Sequence, residues 1–272
     1  MDVVRFYERG GEATHLFESP AGKLEYLRTR EIIQRYLKAP PGTILDVGGG
    51  PGVYACWLAS LGYKVHLFDP LDYHVQQALE ASARQPDQPL ASAIVSDARN
   101  LKEVPDGIAD AVLLLGPLYH ITEYDERGFA WHEAYRVLKP GGFAFATSIS
   151  RFAWTLFGMR EGYIEDPKYR EMIARDISDG QHRNPYDDKP EYFATSYMHH
   201  PSDLRREMAV AGLLHQATIA VEGPAWLLSN LGDYLDAPEK TELLLSTLKA
   251  IESDPGLLGA TSHVMCVGQR PA

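Results

Sequence analysis

The feature that most constrains this chain is Ile44-Leu45-Asp46-Val47-Gly48-Gly49-Gly50-Pro51-Gly52, where an apolar run carrying one acid turns straight into a glycine-dense loop. Ile44, Leu45 and Val47 read as a buried parallel strand, and Val53, Cys56, Trp57 and Leu61 then fall on one face of a following helix. The glycines let the backbone take positive φ and let a ligand approach without meeting a Cβ. The helix N-terminus beyond them offers unpaired N–H groups to a polar or anionic ligand portion. Taken alone, the loop serves several nucleotide cofactors and also a plain structural turn, so its neighbours decide.

Lys64-Val65-His66-Leu67-Phe68-Asp69 reads as a second strand ending in an acid, 21 residues beyond Gly48 and placed to accept both hydroxyls of a ribose. The same spacing serves NAD in a dinucleotide-binding unit, so this pair of features leaves the cofactor open. Ala93-Ile94-Val95-Ser96-Asp97-Ala98 is a third strand ending in a second acid, placed to accept from an adenine amino group. Ala109 to Leu115 is a fourth, running into Gly116-Pro117-Leu118-Tyr119-His120. A helix with Ala130, Ala134, Val137 and Leu138 inward follows, stopped by Lys139-Pro140-Gly141-Gly142 before a fifth strand from Phe143 to Ile149.

In LDVGGGPG at 45–52, HLFD at 66–69, SDA at 96–98, ADAVLLLGPLYH at 109–120 and YRVLKPGG at 135–142, taken in order, the chain resembles the class I S-adenosylmethionine-dependent methyltransferases. NAD enzymes usually show G-x-G-x-x-G/A, whereas here the last position falls at Val53, and G-x-G-x-G at 48–52 is the methyltransferase form. The GPLYH segment is similar to that of small-molecule methyltransferases of bacterial type. The resemblance implies an α/β fold: a Rossmann-like, seven-stranded, mostly parallel sheet in the order 3-2-1-4-5-7-6, its last strand antiparallel, with helices on both faces and helical cap insertions. It implies S-adenosyl-L-methionine as cofactor and S-adenosyl-L-homocysteine as product. It assigns the cofactor to Tyr26, Arg30, Asp46, Gly48, Gly49, Gly50, Gly52, Asp69, Pro70, Asp97, Ala98, Arg99, Leu115, Gly116 and Tyr119. Methylases of nucleobase or glutamine amides place Asp or Asn, then Pro-Pro and an aromatic, after strand four to accept from the target NH₂. Gly116 supplies no such acceptor here, and Asn184-Pro185-Tyr186 lies in an insertion away from strand four.

The bulk properties agree with a cytoplasmic enzyme. At 272 residues and 45% hydrophobic content, the chain is long enough for one large α/β core with additions. Its 26 basic and 37 acidic residues give a net charge of −11, unfavourable for holding a phosphate backbone, so no nucleic-acid partner is expected. No segment approaches a membrane span, and Met1 to Gly10 lacks the apolar core of a signal peptide. Cys56 and Cys266 give neither a disulfide framework nor metal spacing and read as buried thiols. Oligomeric state cannot be read from the residues.

Three elaborations flank the cofactor core, which is expected over residues 43–149. Residues 1–42 form an N-terminal helical cap, helical after Ser19-Pro20 with Leu24, Leu27, Ile32 and Leu37 on its apolar face. In the family such a helix closes over the cofactor, which would bring Tyr7, Tyr26 or Arg30 near it; a helix that only packs accounts for these residues equally well. Residues 150–199 interrupt the strand–helix alternation and carry Trp154, Tyr163, Tyr169, Tyr186, Tyr192, Phe193 and Tyr197 around His182-Arg183-Asn184-Pro185. Such aromatic density suits a cap over an apolar or (hetero)aromatic small acceptor, and equally a cap that only packs on the core. Residues 200–272 complete the core with strands at His215–Val221 and Ser262–Gly268 and a helical insertion at 224–256, where Leu227, Leu228, Leu231, Leu235, Leu243, Leu244, Leu248 and Ile251 form apolar stripes.

Methyl transfer from a sulfonium asks the protein to align a nucleophile in line with the S–CH₃ bond and to exclude water. A general base matters only where the nucleophile carries a proton. His120, following strand four where ligands of open sheets bind, His182 and Tyr197 are the catalytic candidates, with His199 and His200 also considered. For each histidine a structural role within its own turn is the competing reading. The acceptor set is Tyr7, Tyr119, His120, Trp154, His182, Asn184, Tyr197 and His200. No metal is expected, because these histidines lack ligand spacing. The expected acceptor is a small molecule of specialised metabolism, methylated at oxygen, nitrogen or an electron-rich carbon. A nucleotide-dependent oxidoreductase and a non-catalytic S-adenosylmethionine-binding protein are the alternatives.

Overall fold

Each apolar run read as a strand is a strand in the computed structural model of the chain, which describes residues 2–272. They are β1 Thr43–Val47, β2 Lys64–Asp69, β3 Ser92–Val95, β4 Ala109–Leu114, β5 Leu138–Ile149, β6 Leu214–Ala220 and β7 His263–Gln269. The sheet order is β3-β2-β1-β4-β5-β7-β6. β1 pairs in parallel on both sides, with Asp46 opposite Leu67 of β2 and Leu113 of β4. β7 runs the other way: the Gly141 N–H donates to the Arg270 carbonyl while, at the far end, the Ser150 N–H donates to that of Ser262. This is the Rossmann-like order expected of the sequence. Long helices occupy α1 Pro20–Tyr36, α2 Val53–Ser60, α3 Asp72–Ala83, α4 Tyr124–Val137, α5 Ala153–Glu161, α6 Pro167–Asp179, α7 Pro201–Val210 and α8 Pro238–Ile251.

Three local expectations need correction. β3 stops at Val95, because the Asp97 side chain accepts from the Arg99 N–H at 2.8 Å and bends the chain into a turn. β5 begins five residues early at Leu138, and a bulge between Ala109 and Ala111, opposite the stretch that holds Gly141 at φ +78°, absorbs the register shift. On α2 the buried residues are Ala55, Trp57, Leu58 and Ala59, whereas Cys56 is half-buried and Leu61 is exposed. The helix starts at Val53 behind Gly52 in the left-handed region, and its nearly all-apolar sequence carries no polar residue before Ser60, its last, to mark its outer face.

The chain divides into two compact units. One comprises the N-terminal stretch through Glu31 with Ser148–Leu204 and Ala217–Met265; the other comprises Ile32–Thr147, Arg205–Gln216 and Cys266–Ala272. The second unit holds the glycine loop and buries Ile44, Leu45, Leu67, Val112, Leu113, Trp131 and Phe145. Within it the buried Arg127 donates from Nε to Glu207 Oε1 at 2.9 Å, and the Trp131 Nε1–H points to the other Glu207 oxygen at 3.4 Å. The first unit holds two apolar clusters. Leu24 packs with Ala225, Leu231, Leu244 and Leu248, while Tyr169 packs with Met172, Ile173 and Tyr192. Leu228 and Leu243, expected on the inner stripes of 224–256, are exposed. No helix among the described residues is long and apolar enough to cross a membrane.

Candidate cofactor and acceptor residues

The glycine loop is built by close packing. Gly48, at φ +73°, leaves no room for a side chain: a Cβ there would lie 2.7 Å from Pro117 Cδ. At Gly49 a Cβ would sit 2.8 Å from Asp46 Cγ and 2.9 Å from Leu67 Cδ1. Space at these two positions therefore serves contacts within the protein, not only the approach of a ligand. Gly50, at φ +53°, donates its N–H to Asp69 Oδ2 at 2.9 Å, and Gly52 starts α2 at φ +83°. Asp69 is further held by the Leu71 N–H, 3.0 Å from Oδ1, and by His74 Nδ1, 3.1 Å from the same oxygen. Asp46 is buried, and its Oδ2 has no hydrogen-bond partner. Burial, then the neighbouring Asp69, push its carboxyl up to about 7. An orphaned acceptor and two adjacent acids under a glycine turn fit a cofactor that carries positive charge and N–H donors, as S-adenosylmethionine does.

Just past β3, Asp97 is half-buried and held by Arg99, two residues on. Arg99 donates from Nε to Oδ1 at 2.8 Å and from Nη1 to Glu126 Oε2 at 2.7 Å. The hydrogen bond from Arg99 holds the Asp97 carboxyl below its usual range. Ala98 is buried and Pro70 exposed. Beyond β4, the Leu115 carbonyl accepts from Thr147 Oγ1 at 2.5 Å, and Gly116 lies against the Gly48 carbonyl and the Tyr119 hydroxyl. Tyr119 and His120 sit on the single turn Pro117–His120, their rings edge to face at 4.6 Å. The loop of Gly48–Gly52, Asp69 and the turn carrying Tyr119 thus belong to one unit and share direct contacts through Gly50 and Gly116.

The first unit changes the reading of two residues. His182 is fully buried on a two-residue strand. Its Nδ1 lies 2.9 Å from Asp176 Oδ2, and its Nε2 lies 2.8 Å from the Tyr192 carbonyl. That carbonyl can only accept, so Nε2 carries a proton; with both ring nitrogens occupied, His182 is not placed to act as a general base. Asn184 spends its amide on its own loop, donating to the Lys189 and Phe193 carbonyls at 2.8 and 2.9 Å while its Oδ1 accepts from the Tyr186 N–H at 2.9 Å. It closes a turn and does not present its amide to an acceptor. His200 Nδ1 pairs with Ser202 Oγ at 2.7 Å beside the start of α7.

Trp154 stacks on Phe193 with centroids 5.8 Å apart, lies 5.2 Å from the His182 ring, and has a buried Nε1–H without an acceptor. Tyr197 accepts from Arg151 Nη2 at 3.1 Å and meets the His199 ring edge to face at 4.7 Å. Tyr7 stands edge to face with Phe6 at 5.3 Å, and on α1 the Arg30 guanidinium lies 5.0 Å from the Tyr26 ring centroid. Sequence reasoning missed two residues. His74 braces Asp69 from one turn into α3. Phe193, the one described non-glycine residue at positive φ (65°), holds its ring against Phe6 and Trp154. The spacing of His74 from Asp69 carried a usable signal, whereas the backbone conformation of Phe193 left none.

Comparison with known proteins agrees with this geometry. The family model described as a methyltransferase domain matches residues 45–146, which run from β1 into β5. A curated relative, the S-adenosyl-L-methionine-dependent Diels-Alderase iccD of Talaromyces variabilis, is 32% identical over 120 residues. That alignment covers 42% of this chain and 39% of the relative, so the match spans about two-fifths of that protein. Among solved structures, an S-adenosylmethionine-dependent methyltransferase of Methanosarcina mazei superposes with a TM-score of 0.58 at 21% identity, covering 88% of this chain and 97% of that one. The [4+2]-cyclase SpnF superposes with a TM-score of 0.57 at 15% identity, covering 91% of this chain and 82% of that one. At such identities the structural likeness establishes the fold.

Sheet order, glycine loop and matched domain together define a Rossmann-like protein that takes S-adenosylmethionine as its cofactor. Residues 45–146 match a methyltransferase domain, and the fold is that of solved S-adenosylmethionine-dependent methyltransferases.

Proposed function

We propose that the chain transfers the methyl group of S-adenosylmethionine to an oxygen, nitrogen or electron-rich carbon of a small apolar or (hetero)aromatic metabolite, by in-line displacement. The observation that carries this reading is the methyltransferase domain at residues 45–146, whose glycine loop is tied to Asp69 through the Gly50 N–H. The sulfonium supplies an already electrophilic methyl group, so the residues have only to bind, orient and exclude water. Asp69 accepts from the ribose, the Asp97 and Ala98 turn takes the adenine, and Asp46 compensates positive charge under the loop. Tyr119 and His120 lie beyond β4, and His120 is the group to take a proton from an acceptor that carries one. Tyr197 and Trp154, in the aromatic region, orient the acceptor. The net charge of −11 supports a small metabolite over nucleic acid as acceptor.

Incubating the purified protein with S-adenosylmethionine and a panel of small acceptors should yield S-adenosylhomocysteine and a product heavier by one CH₂. A second reading is favoured by the Diels-Alderase relative and the [4+2]-cyclase likeness: intramolecular cycloaddition of a polyene with the cofactor bound and unconsumed. Its product is isomeric with its substrate and appears without S-adenosylhomocysteine. The two readings therefore separate by mass in one assay, and tight S-adenosylmethionine binding with neither product would leave a non-catalytic binding protein.

A further inference from the structure

Three side chains that the proposed chemistry does not use converge within the first unit. Glu25 on α1, Glu222 just past β6 and His263 at the start of β7 each turn one ligand atom toward a common point, all within 4.8 Å of one another. His263 Nδ1 is 2.7 Å from Glu222 Oε1 and 3.6 Å from Glu25 Oε2. Glu222 is fixed by its other oxygen, which accepts from the Thr261 hydroxyl at 2.7 Å and from the His263 N–H at 2.9 Å. The Glu25 and His263 side chains are 21% and 18% exposed, whereas that of Glu222 is buried.

Two carboxylates face one imidazole at this point. The nearest buried cation of α1, Arg28, is already committed to Glu252, Glu31 and the Val221 carbonyl. A divalent ion taking the place of the ring proton would bring the site to neutrality.

We infer that Glu25, Glu222 and His263 form a site for a divalent transition-metal ion of the zinc type, held by one imidazole nitrogen and two carboxylate oxygens with a position open to water. Zinc binds such ligands at about 2.0–2.2 Å, which sets their mutual separation near 3.4 Å in a tetrahedron. The two distances from His263 Nδ1, 2.7 and 3.6 Å, bracket that value, and all three ligand atoms lie within 4.8 Å of one another. An imidazole with two carboxylates suits zinc or manganese better than calcium or magnesium, which prefer all-oxygen sets. Thr261 acts as an outer-shell partner that orients Glu222. Positions 25, 222 and 263 share no local motif, which is why the histidine spacings gave no hint of a metal.

The test is independent of the methyl-transfer reading. Chelator-treated protein is titrated calorimetrically with zinc chloride, near neutral pH, in two buffers that differ in ionisation enthalpy. One saturable site per chain is expected, with about one proton released as the Nδ1–H is displaced. Glu25→Gln, which keeps the Glu222–His263 pair, should weaken binding at least about tenfold, and His263→Asn should abolish it. Zinc should raise the melting temperature of the wild type and not that of Glu25→Gln. Absence of saturable binding, or zinc binding by Glu25→Gln as tight as wild type, overturns the site. Equal affinity for calcium overturns the zinc-type assignment. Should His263→Asn fail to fold, Glu25→Gln decides alone.

Discussion

Asp46 and Asp69 lie together beneath the glycine loop, and their surroundings set them apart. Asp69 is satisfied by the Gly50 and Leu71 N–H groups and by His74, whereas one oxygen of Asp46 has no partner. Asp69→Ala removes the proposed ribose acceptor and the anchor of the loop together. It should weaken S-adenosylmethionine binding by about 1.5–3 kcal/mol, the scale for hydrogen bonds to a charged group. Unchanged affinity by calorimetry, with an intact circular-dichroism spectrum, would take Asp69 out of the cofactor site. For Asp46 the sign of the pH effect follows from its carboxyl lying at about 7 in the folded chain, above the value of an unfolded aspartate. Its contribution to stability is fully present below the unfolded value and is lost as pH rises through about 7. Asp46→Asn cannot ionise, so its melting temperature relative to wild type should improve from about pH 5 to pH 8. Parallel melting curves at both values would show that Asp46 does not titrate there.

The same loop makes a test at the scale of elements, because it meets the segment after β4 through a tight contact between Gly48 and Pro117. Gly48 and Gly141 have nearly equal positive φ, +73° and +78°, but a Cβ at Gly48 would strike Pro117 at 2.7 Å while none within 4 Å would be met at Gly141. Both alanine variants carry the backbone penalty; only Gly48→Ala adds overpacking, on the order of 1–3 kcal/mol. Urea unfolding should therefore find Gly48→Ala less stable than Gly141→Ala by that amount, and equal midpoints would mean that Pro117 yields freely. Contacts of this kind mark the limit of what was legible in the sequence. The strands were readable because parallel strands buried on both faces are apolar runs, and their order was what the family resemblance implied. The buried face of α2 was not, since Val53-Tyr54-Ala55-Cys56-Trp57-Leu58-Ala59 offers no polar residue to set its phase. His182 and Asn184 misled for a different reason. A histidine and an amide in an aromatic insertion read as ligand-facing until folding brings Asp176 and the carbonyls of Tyr192 and Phe193 to them. Glu25, Glu222 and His263 come from three distant segments and meet only in the folded chain.

On the scale of the whole molecule, the glycine loop, Asp69 and Asp97 fall in one compact unit, while Trp154, Phe193 and Tyr197 fall in the other. The proposed roles of these residues predict that substitutions sort into those that act on the cofactor and those that act on the acceptor. Trp154 carries the sharpest expectation, because its buried Nε1–H has no acceptor and its ring stacks on Phe193, which holds a positive φ to keep that place. A donor of this kind suits an oxygen of the acceptor molecule. Trp154→Ala and Tyr197→Phe should lower turnover or raise the acceptor KM while S-adenosylmethionine affinity stays within about threefold, a change below ~1 kcal/mol. Asp69→Ala should do the reverse, with cofactor affinity weakened and the acceptor KM at saturating cofactor little changed. His182→Ala tests the correction made above: with both nitrogens committed inside the fold, its loss should lower the melting temperature and leave the shape of the pH–rate profile intact. If His120 takes the acceptor proton, the rising limb of that profile should vanish in His120→Ala, and a rate independent of pH in the wild type would favour alignment alone. Loss of cofactor binding in Trp154→Ala or Tyr197→Phe with the acceptor KM unaltered would refute the division between the two units.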